Sequence, residues 1–401
     1  MKKVLVGMSG GVDSAVAAYL LQKEGYEVCG VTLRTSDAEN RCCEIDDARR
    51  VAWKLGIQYY ALNCIEDFNK EVVTPFVQCY LQGLTPNPCI ECNRCLKWAK
   101  MLYAAKVMQA DFVATGHYAH VVHLDNGRYT VKKALHAAKD QTYMLYRLSQ
   151  EQLAATLMPL GNYTKEEVRG IAKEAGLPVA DKPDSQEICF VTDGHYSDFI
   201  EQQVRERQEK QSAETSQTTQ LSQIRQTEEA GLTPQEQRAS QELHTANESQ
   251  TPPEKSIWKL PAPGWFVDEA GNRLGMHKGI THYTVGQRKG LGIALGHPVY
   301  VKEIRAVSDE VVLSEEAALF HDTVLCRDVN FLSIAGMETG EKLGARSKIR
   351  YHHEAADSVL EMQPDGRIRI HFSSPVRAAA PGQSAVFYDE NDCVIGGGII
   401  V

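Results

Sequence analysis

The sequence predicts an α/β protein, with a doubly wound parallel sheet in its first half and a small antiparallel β-barrel towards its end. Three observations predict it. Apolar strand patterns alternate with helix patterns as far as Ala175, a polar stretch of biased composition interrupts the chain near residues 201–255, and short strands separated by Gly and Pro follow.

Lys3–Val6 is a short apolar strand, and Val12–Lys23 reads as a helix with Val16, Tyr19 and Leu20 on one face. Val28–Leu33 follows as a strand, Asp46–Leu55 as a helix and Ile57–Leu62 as a third strand. Phe112–Thr115 is a further strand. Thr164–Ala175 reads as a helix because Thr164 and Glu167 have capping-box spacing ahead of Val168 and Ile171. Alternation of this kind implies helices on both faces of a parallel sheet, with ligands at the carboxyl ends of the strands.

Residues 201–255 hold ten Glu against six Lys or Arg, are rich in Gln, Ser and Thr, and almost lack aromatics. Such composition buries too little apolar surface to offset ordering entropy, so the segment reads as an insertion or linker. Beyond it, Val299-Tyr300-Val301, Val311–Leu313, Arg367–Phe372, Ala385–Tyr388 and Cys393–Ile395 are short and often alternate, the pattern of a small antiparallel barrel.

The chain has 401 residues, 43% hydrophobic and 24% charged. At ~100–200 residues per domain this allows two to four domains. No run approaches the ~20 apolar residues that span a bilayer. The apolar Val4-Leu5-Val6 dissolves at once into Gly7-Met8-Ser9-Gly10-Gly11, so no secretory signal is expected either. Eleven cysteines without an export signal point to a reducing, cytoplasmic setting where thiols serve catalysis or metals. The net charge of −9 argues weakly against a nucleic-acid partner, and less so once the acidic segment 201–255 is set apart.

Gly7-Met8-Ser9-Gly10-Gly11-Val12-Asp13-Ser14 lies between the first strand and the first helix. Its glycines bring backbone N–H groups close to an anion, the helix start adds its positive dipole end, and Ser9 and Ser14 supply hydroxyls. Asp13 is a candidate Mg²⁺ ligand, since that ion prefers carboxylate plus phosphate oxygens. The lysine of the GxxxxGK[ST] loop is missing, so cleavage elsewhere along a triphosphate is expected.

Two cysteine sites stand out. Thr85-Pro86-Asn87-Pro88-Cys89-Ile90-Glu91-Cys92-Asn93-Arg94-Cys95 is a proline-stiffened loop entering a helix, and Asp184-Ser185-Gln186-Glu187-Ile188-Cys189-Phe190 is the second. Arg94 and Lys97 favour a thiolate at Cys92, which makes it a candidate nucleophile with Cys189 as partner. The double C-x-x-C of Cys89, Cys92 and Cys95, with Cys189 as a fourth ligand, is the alternative: a zinc or iron–sulfur site. Cys29, Cys64, Cys79, Cys326 and Cys393 read as inert buried thiols, as does the adjacent pair Cys42-Cys43.

The glycine loop resembles the signature of the PP-loop ATP pyrophosphatases. Taken with TPNPCIECN at 85–93, ATGHYA at 114–119, KDQTYMLY at 139–146, DSQEICF at 184–190, YTVGQRKGLGI at 283–293 and SPVRAAAPGQSAVFY at 374–388, the chain resembles the tRNA-specific 2-thiouridylases almost throughout. The resemblance implies a PP-loop (HUP-like) domain over 1–200, the insertion over 201–256, a small central domain over 257–305 and a C-terminal tRNA-binding β-barrel over 306–401. It implies ATP-dependent 2-thiolation of the wobble uridine of tRNAs for Glu, Gln and Lys, through an adenylated uridine and a persulfide on Cys189 that Cys92 resolves. The candidate catalytic residues are thus Cys92, Cys189 and Asp13.

The same resemblance assigns ATP contacts to Gly7, Met8, Ser9, Gly10, Gly11, Val12, Asp13, Ser14, Leu33 and Gly116. It assigns tRNA contacts to Asn87, Pro88, Cys89, His117, Lys139, Asp140, Gln141, Arg350, Tyr351 and Gln383. The cofactors implied are ATP and Mg²⁺. A 4Fe-4S cluster on Cys89, Cys92 and Cys189 is the variant reading. Partners would be tRNA and a cysteine desulfurase or sulfur-relay protein, with no membrane. A local basic surface is expected from Lys97, Lys100, Lys132, Lys133, Lys278, Arg288, Lys289, Arg346, Lys348 and Arg350. Two other functions compete: a different PP-loop adenylating synthetase that uses ammonia, and a non-catalytic RNA-binding protein with a structural metal. The thiol pair tells against the first, and pyrophosphate release would tell against the second.

Overall fold

Val4, Leu5 and Val6 are all fully buried, which a strand achieves only when both faces of its sheet are covered. They form β1 (Lys3–Gly7), the centre of a five-stranded parallel sheet in the computed structural model. The structure describes residues 1–36, 39–183, 188–191, 195–229 and 258–401, with side chains described outside 39–44 and 214–229. Cys42-Cys43, Asp184–Glu187 and most of the expected insertion therefore lie outside the described side chains.

In chain order β1 is followed by α1 (Val12–Lys23), β2 (Glu27–Arg34), α2 (Glu39–Leu55) and β3 (Gln58–Asn63). Next come α3 (Ile65–Phe68), a π-turn over Asn69–Val73, α4 (Thr74–Leu81), α5 (Pro88–Glu91), a second π-turn over Cys92–Lys97, and α6 (Trp98–Val107). Then follow β4 (Phe112–Ala114), the hairpin β5 (Ala119–His123) and β6 (Tyr129–Lys133), α7 (Gln150–Ala154), β7 (Thr156–Leu157), α8 (Lys165–Glu174) and α9 (Tyr196–Glu229). The sheet order is β3-β2-β1-β4-β7, every neighbour parallel. Val4 and Val6 face α1, α2 and α8, and Leu5 faces α6 on the opposite side. The doubly wound architecture expected from the sequence is present.

The capping box is also present: Thr164 Oγ1 accepts from Glu167 N at 3.0 Å and Glu167 Oε2 accepts from Thr164 N at 2.7 Å. α9 begins at Tyr196, five residues before the segment read as an insertion, and runs into it. Its first turns bury Ile200 and Val204 against Phe76, Val77 and Tyr80, because these positions carry apolar side chains on one face of the helix.

β8 (Gly264–Val267), β9 (Arg273–His277), β10 (Tyr300–Arg305) and β11 (Glu310–Ser314) form a separate four-stranded sheet in the order β10-β11-β8-β9. This corrects two expectations. The strands at Val299–Val301 and Val311–Leu313 belong here and not to the barrel, and a boundary at residue 305 would cut the β10–β11 hairpin. Short alternating strands look alike in sequence whichever sheet they join, since partner choice is a long-range matter. The closed barrel comprises β12 (Phe320–Phe331), β13 (Lys342–Lys348), β14 (Ala356–Met362), β15 (Ile368–Arg377), β16 (Ser384–Tyr388) and β17 (Val394–Ile400). All its pairings are antiparallel.

Barrel and parallel-sheet domain share one core. Val386, Tyr388, Val394 and Leu332 pack with Leu5, Val131, Tyr143 and Tyr146. The buried hydroxyls there are satisfied across the seam: Tyr143 Oη donates to Ser384 O at 2.7 Å and Thr130 Oγ1 to Val394 O at 2.6 Å. Among the described residues no helix is long and apolar enough to cross a membrane.

Replacing the cap by Thr164→Ala should cost about 1 kcal/mol and lower the melting temperature by roughly 2–4 °C, read by differential scanning calorimetry. An unchanged melting temperature would show that the box contributes nothing to this helix.

Candidate active site

Residues from four elements meet at the carboxyl end of β1. The chain leaves β1 at Gly7, turns through Gly10 in the left-handed region (φ 72°) and enters α1 at Gly11. Gly11 offers no side-chain cap, so the first N–H groups of α1 keep the unpaired donors of any helix start. Ser14 Oγ bridges the loop, accepting from Ser9 N at 3.2 Å and donating to Gly11 O at 3.1 Å. Gly116, after β4, presses on this turn: a Cβ there would lie 2.7 Å from Asp13 C and Ser14 N. Leu33 sits at the same end of β2, packed among Leu62 and the residues around Cys92.

Asp13 Oδ1 accepts from Tyr118 Oη at 2.7 Å and from Lys165 Nζ at 2.6 Å. Tyr118 is itself held by Gln141, whose Oε1 accepts from Tyr118 N at 2.9 Å. With one oxygen so engaged, Asp13 fits Mg²⁺ as a single carboxylate ligand alongside phosphate oxygens and water, the usual arrangement for that ion. Sequence reasoning missed Lys165 and Lys182. Both stand far from the loop in sequence, with no motif to mark them, yet Lys182 Nζ donates to Gly10 O at 3.1 Å. The loop thus offers backbone N–H donors and two hydroxyls to an anion, with Lys165 held on Asp13 and Lys182 on Gly10 O at its edge.

The sulfur loop lies in the same domain, between α4 and α6. Asn87 caps α5 by accepting from Cys89 N at 3.1 Å, and Asn93 Nδ2 fixes the following turn by donating to Met144 O at 3.0 Å. Thr85 N donates to Pro381 O at 2.8 Å, and Gln383 Nε2 donates to Thr85 O at 3.0 Å, so the barrel grips the loop where it starts. Opposite, Phe190 is locked edge-on among Phe68 and Phe76 and against Phe199, which seats the neighbouring Cys189 at the surface. The fold brings Cys89, Cys92 and Cys189 into mutual electrostatic range, since each of the other two thiolates disfavours ionisation of Cys92.

The low-pKa thiol expected at Cys92 is not found in this state. Burial pushes the thiol up to about 11, against the pull of Lys97 and with the help of Cys189 and Cys89. Two features explain the difference. Cys92 closes the four-residue α5 and opens a π-turn instead of heading a helix, and Arg94 is diverted to Glu91 at 2.8 Å. Glu91 also receives Arg147 and the thiol of Cys95, which removes Cys95 from the site. Burial again, with Glu91 assisting, raises Cys95 to about 11.

Among the described residues no group of three Cys, His, Asp or Glu side chains is placed to hold a metal ion. Cys89, Cys92 and Cys189 therefore do not form a ready-made cluster site among the described residues. Cys29, Cys64, Cys326 and Cys393 are buried as expected, and Cys79 is partly exposed.

The residues expected to contact tRNA divide. Gln383 and Asn87 brace the sulfur loop, and Tyr351 lies near Cys89, under the ammonium of Lys348 at 5.5 Å. His117 bonds Thr115 Oγ1 through Nδ1 at 2.8 Å and lies over Trp98; burial and then Lys97 hold its pKa well below the usual value, so it is neutral. Asp140 is buried, accepting from Ala134 N, Thr142 N and Thr142 Oγ1, so its carboxylate serves the fold. Lys139, beside it, is partly exposed. Arg350 donates to Val285 O and Ala378 O, both at 2.8 Å, joining the central domain to the barrel. Of the expected basic surface, Lys100 pairs with Asp67, and Lys133 and Arg346 share Asp392. In the GQRKGLGI block Gly286 is locked against Val301 O, while Arg288 and Lys289 are exposed.

The family model described as a tRNA methyl transferase HUP domain matches residues 2–193. A tRNA methyl transferase PRC-barrel domain matches 259–315, and an aminomethyltransferase beta-barrel domain matches 321–400. The chain is 46% identical over 411 residues to the tRNA-specific 2-thiouridylase MnmA of Acetivibrio thermocellus, covering 100% of this chain and 99% of that one. It is 45% identical to the protein of the same name from Lachnoclostridium phytofermentans, covering 100% of both. To that of Clostridioides difficile it is 41% identical, covering 100% of this chain and 98% of that one.

Two outcomes are expected. Gly116→Val drives side-chain atoms into the start of α1 and should weaken Mg-ATP binding roughly tenfold or more by calorimetry, as the loop donors lose alignment. Alkylation of Cys92 by iodoacetamide, followed by peptide mass spectrometry, should climb about tenfold per pH unit from 8 to 10. A plateau near pH 9 would mean that burial does not govern this thiol.

Proposed function

This chain belongs to the tRNA-specific 2-thiouridylase family, and on that premise we propose that it uses ATP to replace the 2-oxygen of the wobble uridine with sulfur in tRNAs for Glu, Gln and Lys. What supports the reading is the approach of Cys92 and Cys189 to within electrostatic range of each other, in the same domain as the phosphate loop. An amidating synthetase has no use for such a pair, and neither does the methyl transfer named in the family-model descriptions.

The uridine O2 attacks the α-phosphorus of ATP while the bond to the β-phosphate oxygen breaks, giving the adenylated base and pyrophosphate; the N3 proton passes to solvent. Mg²⁺, held by Asp13 and phosphate oxygens, would supply charge neutralisation there. The terminal sulfur of a persulfide on Cys189 then adds to C2, and AMP departs with the oxygen. The Cys92 thiolate attacks Cys189 Sγ, forming a Cys92–Cys189 disulfide and releasing the thiouracil anion, which takes a proton. An external thiol reductant restores both thiols for another cycle. In an alternative route Cys92 attacks the persulfide first and frees sulfide as the nucleophile. Ionisation of Cys92 has to overcome its burial, so docked RNA or the substrate itself must alter its surroundings before this step.

A base must leave the anticodon stack to reach half-buried thiols, so flipping accompanies binding. The sulfur is supplied by a cysteine desulfurase or relay protein, and the work is done in the cytoplasm, where unmodified tRNA and ATP meet.

Unmodified tRNA incubated with Mg-ATP and a persulfide source should yield 2-thiouridine by nucleoside mass spectrometry. Cys189→Ser should abolish that product while pyrophosphate release persists, and normal accumulation in this variant would remove Cys189 from the chemistry.

A further inference from the structure

The glycine loop lacks a lysine, yet the tertiary fold delivers one. Lys182 follows α8 in the chain, and its ammonium lies against the loop, donating to Gly10 O at 3.1 Å and to Asp47 Oδ2 on α2 at 2.8 Å. Both side chains are part-buried. Gly10 is the residue whose left-handed φ aims the loop at the start of α1, so a cation on its carbonyl stands at the rim of the anion cradle. Asp47 keeps a second cation, Arg50 at 3.4 Å, and does not depend on Lys182 for charge balance. Lys165 is committed elsewhere, to Asp13.

Two roles fit a lysine so placed. In one the Lys182–Asp47 pair tethers α2 to the loop. Part-exposed ion pairs contribute little to stability, which makes tethering a weak reason for the arrangement. In the other, Asp47 holds a charge in reserve for an anion arriving on the loop. We propose that Lys182 receives the pyrophosphate half of ATP, and that Asp47 parks its ammonium at the loop until the nucleotide arrives. The assignment rests on the adenylation reading above. When the bond between the α-phosphorus and the bridging oxygen breaks, the electron pair leaves with pyrophosphate. Lys182 faces that growing charge and transfers no proton. It does the work that a lysine within the loop does in GxxxxGK[ST] enzymes, from a different point in the chain.

The two roles predict opposite signs, which calorimetry on the full-length protein reads with Mg-ATP and with AMP. Lys182→Met should weaken Mg-ATP more than about tenfold, the loss expected for one charge-assisted hydrogen bond, and leave AMP within about twofold. Lys182→Arg should recover most of the affinity. Asp47→Asn releases the ammonium and should tighten Mg-ATP severalfold. Weakening of ATP and AMP alike by both substitutions would leave a tether and overturn the proposal, as would unchanged ATP affinity in Lys182→Met. Failure of the unsubstituted protein to bind ATP would instead bring down the adenylation reading and this assignment with it. Matching thermal unfolding curves exclude misfolding as the cause of any loss.

Discussion

Thr85 N donates to Pro381 O, and the Gln383 amide donates to Thr85 O, a two-way clamp between the barrel and the first turn of the sulfur loop. Gly382 makes the approach possible: its φ of 89° and lack of Cβ let the barrel turn come within van der Waals contact of Leu84 and Thr85. Everything downstream in that loop follows from where Thr85 is held. Asn87 caps α5, α5 hands over to the π-turn, and the π-turn sets the direction in which Cys92 points. The domain with the phosphate loop thus does not position its own cysteine loop alone. The barrel is part of the scaffold that holds the cysteine loop.

The two halves of the site are built on different electrostatic principles. Around the phosphate loop the fold gathers positive charge and hydrogen-bond donors, with Lys165 and Lys182 brought in from outside the motif. Around the thiols it withholds solvent, so that Cys92 stays protonated and Lys97 only partly offsets the cost. A protonated, half-buried thiol is protected from casual oxidation. It also stays a weak nucleophile for as long as those surroundings last.

Much of the fold was legible because it rests on local rules. The alternation of strand and helix, the Thr164–Glu167 box and the glycine loop each need only neighbouring residues, and each is present. What could not be read depends on distance along the chain. Lys182 and Lys165 carry no motif, and the two-residue β7 is too short for any pattern. Asp140 and Arg350 look like surface charges in sequence. The structure spends one on Thr142 and the other on two carbonyls across a domain boundary. The protonation of Cys92 differs from expectation for a related reason: its neighbours in sequence are cations, but Glu91 takes Arg94 away and the protein interior outweighs Lys97.

Where α9 leaves the core, Gln208 Nε2 donates to Trp258 O at 2.8 Å, and Arg207 lies over the Trp258 ring. The chain therefore departs and comes back at one doorway. Closing an excursion costs entropy that grows only with the logarithm of its length. The length of chain between Gln208 and Trp258 therefore adds little to the cost of holding these two residues together, and a reporter domain spliced between them would meet the same modest penalty.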